Sequence, residues 1–171
     1  MNQINIQYYK TKYANFILGS FEAKLCLLDF KYRKMRTTVD NRLKIGFDAV
    51  FVEQDDEILQ KTRKQIDEYF DMTRKVFDIP IITVGTDFQK SVWEALLKVP
   101  YGTTSTYLQL AKDINNKKAV RAVANANGAN SISIIIPCHR IIGSNGELTG
   151  YGGGLPLKKR LLELEQNLFM S

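Results

Sequence analysis

Apolar side chains crowd two short runs near the start of the chain, Asn15-Phe-Ile-Leu-Gly-Ser and Lys24-Leu-Cys-Leu-Leu-Asp-Phe. Their β-rich content, with Gly19 as punctuation, predicts strands and turns over residues 1–52. Between 57 and 76 the period lengthens. Ile58, Leu59, Ile66, Tyr69 and Phe70 recur among charges at helical spacing, an amphipathic helix that Pro80 closes. Residues 79–85 read as an extended linker, so the division is 1–78, linker 79–85, and 86–171. Beyond the linker the pattern turns helical. Thr86-Asp-Phe-Gln matches a capping box ahead of Val92, Trp93, Leu96 and Leu97. Tyr101-Gly102 breaks that helix. Thr104 or Ser105 caps a second one through Leu108, Leu110, Ala111 and Ile114, and Asn115-Asn116 turns the chain. A third helix spans about 117–127 and stops at Gly128, the type favoured at a left-handed C-terminal position. Helix, short turn and helix within this length is a helix-turn-helix. A last helix, 157–168, points Leu161, Leu164 and Leu168 inward.

The third helix places Val120 and Val123 inside and leaves Lys118, Arg121, Ala122, Asn125 and Ala126 outside. Alanines allow close approach but read no base edge, so this face suits sequence-tolerant docking better than operator recognition. An ordinary bundle helix would have the same composition.

Chemistry concentrates in Ile134-Ile-Ile-Pro-Cys-His-Arg. The apolar run predicts a strand that Pro137 ends, presenting Cys138 at the mouth of the fold. A free thiol is only roughly one-tenth ionised near neutrality, so a nucleophilic Cys138 needs help, and His139 and Arg140 are the neighbours that could supply it. A small buried hydrophobe after three isoleucines is the alternative. On a strand, adjacent side chains point oppositely, so contact between Cys138 and His139 would run through a water. A cysteine hydrolase would also need a second, water-consuming step, and no flanking signature of that class is present. Gly143-Ser-Asn-Gly predicts a turn, and Leu148-Thr-Gly-Tyr-Gly-Gly-Gly-Leu is a loop able to approach a flat ligand closely. It lacks the Gly-Lys-Ser/Thr ending of a phosphate loop. Glu165 beside the apolar stripe of the last helix reads as a solvated edge residue unless it meets a partner such as His139.

Charge sharpens this picture. Of 24 Lys+Arg and 18 Asp+Glu, residues 1–85 hold 14 and 12, and residues 86–171 hold 10 and 6, an excess of +2 against +4. The second half is therefore the more anion-facing. Cys26 reads as a buried hydrophobe within its strand, and the cluster Lys31 to Arg36 as a solvated strand end or loop. Two cysteines and one histidine make neither a disulfide framework nor a four-ligand zinc site, so no metal is expected. No leader-like opening or membrane-length apolar run stands out, which leads to an expected reduced, cytoplasmic compartment.

On these residues the chain resembles the O6-alkylguanine-DNA alkyltransferases, also called methylated-DNA–protein-cysteine methyltransferases. The resemblance spans 86–168. It rests on Pro137-Cys138-His139-Arg140 after an apolar run, Tyr107 and Arg121 in the helix-turn-helix, Asn130 eight residues before Cys138, Gly150-Tyr151, and Glu165. Residues 1–78 look more loosely like the family's variable N-terminal domain. An α+β fold is implied: a small ribonuclease H-like sheet with helices, then a mainly helical winged-helix/helix-turn-helix catalytic domain. So is DNA repair by direct reversal, since a thiolate can reach a stacked guanine only after the nucleotide is flipped out. Arg121 resembles the finger that fills the vacated stack. Tyr107 is similar to the tyrosine that presses on the target phosphate, with Lys118, Ala122 and Asn125 on the same minor-groove face. Cys138 would take the alkyl group from guanine O6, and by the same resemblance from thymine O4. His139, oriented by Glu165, would accept the thiol proton through water, and Asn130 would brace the preceding turn. Pro137, Arg140, Ile141, Tyr151, Gly152 and Gly153 would line the pocket. There Tyr151 and the Gly152 amide hold O6, and carbonyls near Cys138 and Ile141 accept the exocyclic amine. Gly152 stands where fully activated relatives often have serine, which leaves pocket size open. The thioether product has no leaving group, so each molecule acts once, without a cofactor. Duplex DNA carrying O6-alkylguanine is the implied partner of a monomer, with no membrane and with cooperativity left open. A damage binder that transfers nothing, or a helix-turn-helix regulator, is the competing reading.

Overall fold

The computed structural model describes residues 1–167, and the chain forms two compact units, Met1–Val84 and Gly85–Ser171. In the first, strands β1 (Asn2–Lys10), β2 (Asn15–Phe21), β3 (Lys24–Phe30) and β4 (Ala49–Glu53) form one sheet in the order β3-β2-β1-β4. β1 pairs antiparallel with β2 (Ile6 opposite Gly19) and parallel with β4 (Asn2 opposite Ala49). The unbroken apolar runs that predicted β2 and β3 follow from burial on both faces. Ile4, Ile6, Ile17, Phe21 and Cys26 pack with Val39 and Leu43 of helix α1 (Arg36–Phe47). Phe16, on the alternate parity of β2, stacks on Phe70 of helix α2 (Glu57–Phe70). Burial pushes the Cys26 thiol up to about 12, so it behaves as a small hydrophobe.

Asp56 joins three elements of this unit. One oxygen caps α2 by accepting the Leu59 N–H at 2.9 Å. The other accepts from Asn5 of β1 at 2.8 Å and from the Ser20 hydroxyl of β2.

Three expectations change here. α2 stops at Phe70, short of 76, because the chain turns through Met72 in the left-handed region (φ 61°). The expected linker belongs to the sheet: the Leu25 N–H donates to the Pro80 carbonyl at 2.8 Å and the Ile82 N–H to that of Leu25 at 2.9 Å. Ile82 and Val84 then pack on the α1 side of the sheet. Within the basic cluster, Arg33 and Arg36 are held by the fully buried Asp29 at 3.0 and 3.2 Å.

The second unit contains helices α3 (Asp87–Leu96), α4 (Tyr107–Asp113), α5 (Val120–Gly128) and α6 (Leu155–Glu165), and a two-stranded parallel pair, β5 (Ser105–Thr106) with β6 (Ile141–Ile142). The capping box opens α3, with Thr86 accepting the Gln89 N–H at 3.1 Å and Gln89 the Thr86 N–H at 3.0 Å. Thr106, not Thr104 or Ser105, caps α4, accepting the Gln109 N–H at 3.0 Å. α5 begins at Val120 and includes Gly128, which is absent from the positive-φ positions; the helix ends without a left-handed residue. Ala126 turns inward, and its carbonyl accepts the Trp93 indole N–H at 2.9 Å. α6 starts at Leu155 with Pro156 in its first turn, while Leu168 lies outside the described residues. Among the described residues no helix is long and apolar enough to cross a membrane.

Replacing Asp56 by Ala removes a cap and strands two donors, so urea unfolding should show a loss of about 2 kcal/mol. Thr86→Ala, which removes only a cap, should cost about 1 kcal/mol.

Candidate functional site

The three isoleucines before Pro137 do not form the expected strand. The backbone doubles back, with the Ile136 N–H on the Ile132 carbonyl at 3.0 Å and Ile134 at φ 70°. A β-branched residue rarely adopts that conformation. Asn130 explains why it persists. Its Oδ1 accepts the Ile132 N–H at 2.9 Å and its Nδ2 donates to the Ile136 carbonyl at 2.8 Å, giving the backbone a local alternative to a ladder. Past Pro137, residues Cys138–Arg140 make one 3₁₀ turn. Cys138 and His139 are therefore not on opposite faces of a strand. Nor does Cys138 stand at an open mouth; it is 6% exposed.

The 3₁₀ turn delivers His139 and Arg140 to one carboxylate on α6. The His139 Nε2 lies 2.6 Å from Glu165 Oε2. Arg140 donates through Nε to Oε1 at 2.8 Å and through Nη2 to Oε2 at 3.1 Å, and the Gly102 N–H reaches Oε1 at 3.3 Å. Glu165 is thus buried and fully engaged, the opposite of a solvated edge. Arg140, expected to line the pocket, spends its remaining Nη1 on the Val99 carbonyl at 2.8 Å and lies over the Tyr101 ring.

Burial alone would raise the Glu165 pKa, but the His139 hydrogen bond and the Arg140 guanidinium outweigh it and bring the value to about 2. His139 moves down: complete burial, aided by Arg140 and Lys158, overcomes the pull of Glu165. An ionised carboxylate can only accept, so Nε2 carries the His139 proton and Nδ1 carries a lone pair. That buried Nδ1 has no hydrogen-bond partner among the described residues. The imidazole is thereby held in one tautomer, with Nδ1 as its lone-pair nitrogen.

Lys158 received no role from the sequence. It is fully buried, and its ammonium donates to the carbonyls of Ile141 at 2.6 Å, Thr149 at 2.8 Å and Gly150 at 3.4 Å. These belong to the segment leaving Cys138 and to the glycine-rich loop, so one cation fastens both. Burial lowers its pKa and the nearby Cys138 raises it. A signal did exist: Lys158, Leu161 and Glu165 recur at helical spacing on a single buried stripe. Asn127, also missed, is buried on α5 and directs Nδ2 at the Cys138 carbonyl, 3.5 Å away.

Ile141 is buried, with Ser105 opposite it in the short parallel pair, which ties the start of α4 to the cysteine segment. Tyr107, the first residue of α4, donates its hydroxyl to the Thr149 carbonyl at 3.1 Å. Tyr151, Gly152 and Gly153 are half-buried in the loop, and the Tyr151 ring stands 6.4 Å from that of His139. Gly150 and Gly154 take positive φ, 48° and 91°, as the loop requires. On the outer face of α5 Arg121, Ala122 and Asn125 are exposed, as is Lys118 just before it, and Arg121 has no ion pair among the described residues.

Two family models match: the ribonuclease-like domain of 6-O-methylguanine DNA methyltransferase over residues 4–83, and its DNA-binding domain over residues 87–167. A Methanosarcina barkeri methylated-DNA–protein-cysteine methyltransferase is 43% identical over 151 residues, 88% of this chain and 90% of the relative. An inducible Bacillus subtilis enzyme of the same name is 47% identical over 120 residues, 70% and 67% of the two chains. Among solved structures, Mycobacterium tuberculosis OGT in complex with DNA superposes with a TM-score of 0.80 at 35% identity, covering 96% of this chain and 93% of that one.

Because folding depresses the Glu165 pKa from 4.5 to about 2, its contribution to stability is present above about 4.5 and fades as pH falls toward 2. The stability gap between the native protein and Glu165→Gln should therefore be widest near neutrality and close through that window. A gap that stays constant from pH 6 to pH 2 by urea unfolding contradicts the assignment.

Proposed function

Since the chain belongs to the 6-O-methylguanine DNA methyltransferase family, we propose that it repairs duplex DNA by moving the alkyl group of O6-alkylguanine onto Cys138, once per molecule. The observation that carries this reading is the His139 imidazole, one residue along the chain from Cys138, pinned through Nε2 to an ionised Glu165 while its buried Nδ1 has no partner among the described residues. A neutral base with a fixed tautomer is what a thiol needs to become a thiolate at neutral pH.

The reaction is a single displacement. The thiol proton leaves through a water to His139 Nδ1, Sγ forms a bond to the alkyl carbon, and the carbon–O6 bond breaks with its electron pair going to guanine. The departing guanine takes up one proton, so the overall proton count is unchanged. Arg140 keeps Glu165 ionised and therefore the histidine oriented. Lys158 steadies the Ile141 carbonyl, which retains a lone pair for the guanine amine, and the loop of Tyr151, Gly152 and Gly153 closes on O6. Pro137 and the Asn130 brace hold the turn that presents the sulfur.

DNA engagement falls to the exposed face of α5. Arg121 occupies the stack vacated by the flipped nucleotide, flanked by the close-fitting Ala122, while Lys118 and Asn125 meet the backbone. Tyr107 turns from Thr149 toward the target phosphate. Such contacts carry no sequence preference, which suits damage that occurs anywhere. O4-alkylthymine is a second substrate and the cytoplasm the working compartment under the same reading.

Incubation with methylated duplex DNA should leave a permanent mass gain of one methyl group, lost in Cys138→Ala; tight binding without any mass gain would mean a damage binder. Arg121→Ala should slow transfer from duplex DNA roughly ten-fold or more while sparing free benzylguanine, since only the duplex requires flipping. Equal losses with both substrates would remove Arg121 from the finger role. Glu165→Gln should slow transfer with little change in DNA affinity, and an unaltered rate would exclude it from the relay.

A further inference from the structure

Two buried acceptors on residues that adjoin Cys138, one along the chain and one through its carbonyl, lack partners among the described residues: His139 Nδ1 and Asn127 Oδ1. Buried polar atoms are almost always satisfied, so each needs an account. The Asn127 amide is oriented by its other end, because only an NH2 group can face the Cys138 carbonyl at 3.5 Å. Its Oδ1 therefore points away from that carbonyl yet stays, by bond lengths, within about 6 Å of it. His139 is the next residue along the chain and its Nδ1 carries a lone pair. Both atoms can only accept, so neither can satisfy the other. A water molecule has two hydrogens and two lone pairs. Donating one hydrogen to each of the two acceptors satisfies both and leaves its lone pairs toward the thiol.

We infer that Asn127 is a positioning residue that, together with His139, holds the water through which the Cys138 proton departs. The inference rests on the proposed role of His139 as proton acceptor. When the thiol ionises, its proton joins this water as the water passes one of its own to Nδ1; an S–H bond breaks, an N–H bond forms, and the water is regenerated. Asn127 fixes the direction from which the water can receive that proton. It lies on α5, the helix whose outer face carries Arg121, so the relay is anchored to the element that meets DNA.

Among the described residues, the charged and titratable groups that the site brings together are Cys138, His139 and Arg140 on the 3₁₀ turn, Glu165 and Lys158 on α6, Tyr151 in the loop, Tyr101 after α3, and Tyr107 on α4. Asn127→Leu leaves all of them in place and removes only the carboxamide. The test measures two rates on the full chain: methyl transfer from duplex DNA, and iodoacetamide alkylation of Cys138 across pH. For Asn127→Leu, transfer should fall roughly ten-fold, a small share of what a proton acceptor contributes. The midpoint of the alkylation profile should rise by about one pH unit, with DNA affinity retained. Asn127→Ser, which keeps an oxygen acceptor, should recover part of both, and Asn127→Ala should not. In a double-mutant cycle the losses from Asn127→Leu and His139→Leu should be strongly non-additive, because both act on one water. An unchanged alkylation midpoint, or additive losses, overturns the inference. If Asn127→Leu fails to fold, the contrast between Asn127→Ser and Asn127→Ala decides in the same way. Native protein that never gains a methyl group would defeat the alkyltransferase reading itself, a result separate from any behaviour of the Asn127 variants.

Discussion

A single carboxylate buried beneath the cysteine segment organises the second unit. Glu165 accepts from His139, from two nitrogens of Arg140 and from the Gly102 amide. An isolated carboxylate in such a place would be protonated or would leave for water. Here the guanidinium compensates the charge, and the backbone amide and imidazole occupy remaining lone pairs. The ionisation of Glu165 then fixes the tautomer of His139, and the tautomer leaves Nδ1 as the nitrogen with a lone pair. Removing either cationic or donor partner would leave a buried charge uncompensated, which is why the arrangement behaves as one body.

The same wiring explains how a short 3₁₀ turn can be positioned so tightly. Asn130 clamps the loop before it, Pro137 limits its entry, Arg140 bolts its end to Val99 and Glu165, and Lys158 gathers the chain after it. The left-handed Ile134 is held against its steric preference by this set of bonds. Rigidity here comes from hydrogen bonds to backbone groups, with the apolar ridge of α6 as support.

Much of this was legible in the sequence. The capping box at Thr86, the turn at Asn115-Asn116 and the helical periods of α2 and α3 are local signals, and local signals survive in the fold. The triplet Cys138-His139-Arg140 stood out because the chain has one histidine. What misled was a propensity: three β-branched residues in a row predict a strand, but the side chain of Asn130, two and six residues from its partners, competes successfully for the same backbone groups. Glu165 looked like an ordinary solvated charge and Lys158 drew no reading, because burial of a polar residue depends on partners distant in sequence. Their spacing with Leu161 on one stripe was the only local hint, and it required knowing what α6 packs against. The end of the first unit was misjudged for a similar reason, since Pro80 and Ile82 reveal their role only once β3 is there to pair with them.

The ribosome makes the chain from its N-terminus, so the partners in this cluster appear one after another. Glu165 lies 26 residues downstream of His139, so ribosomal synthesis produces the histidine before the carboxylate that fixes its tautomer. Until α6 docks, His139 and Arg140 lack the carboxylate that they share in the folded protein. The cluster around Glu165 is therefore assembled only when the tertiary structure is complete.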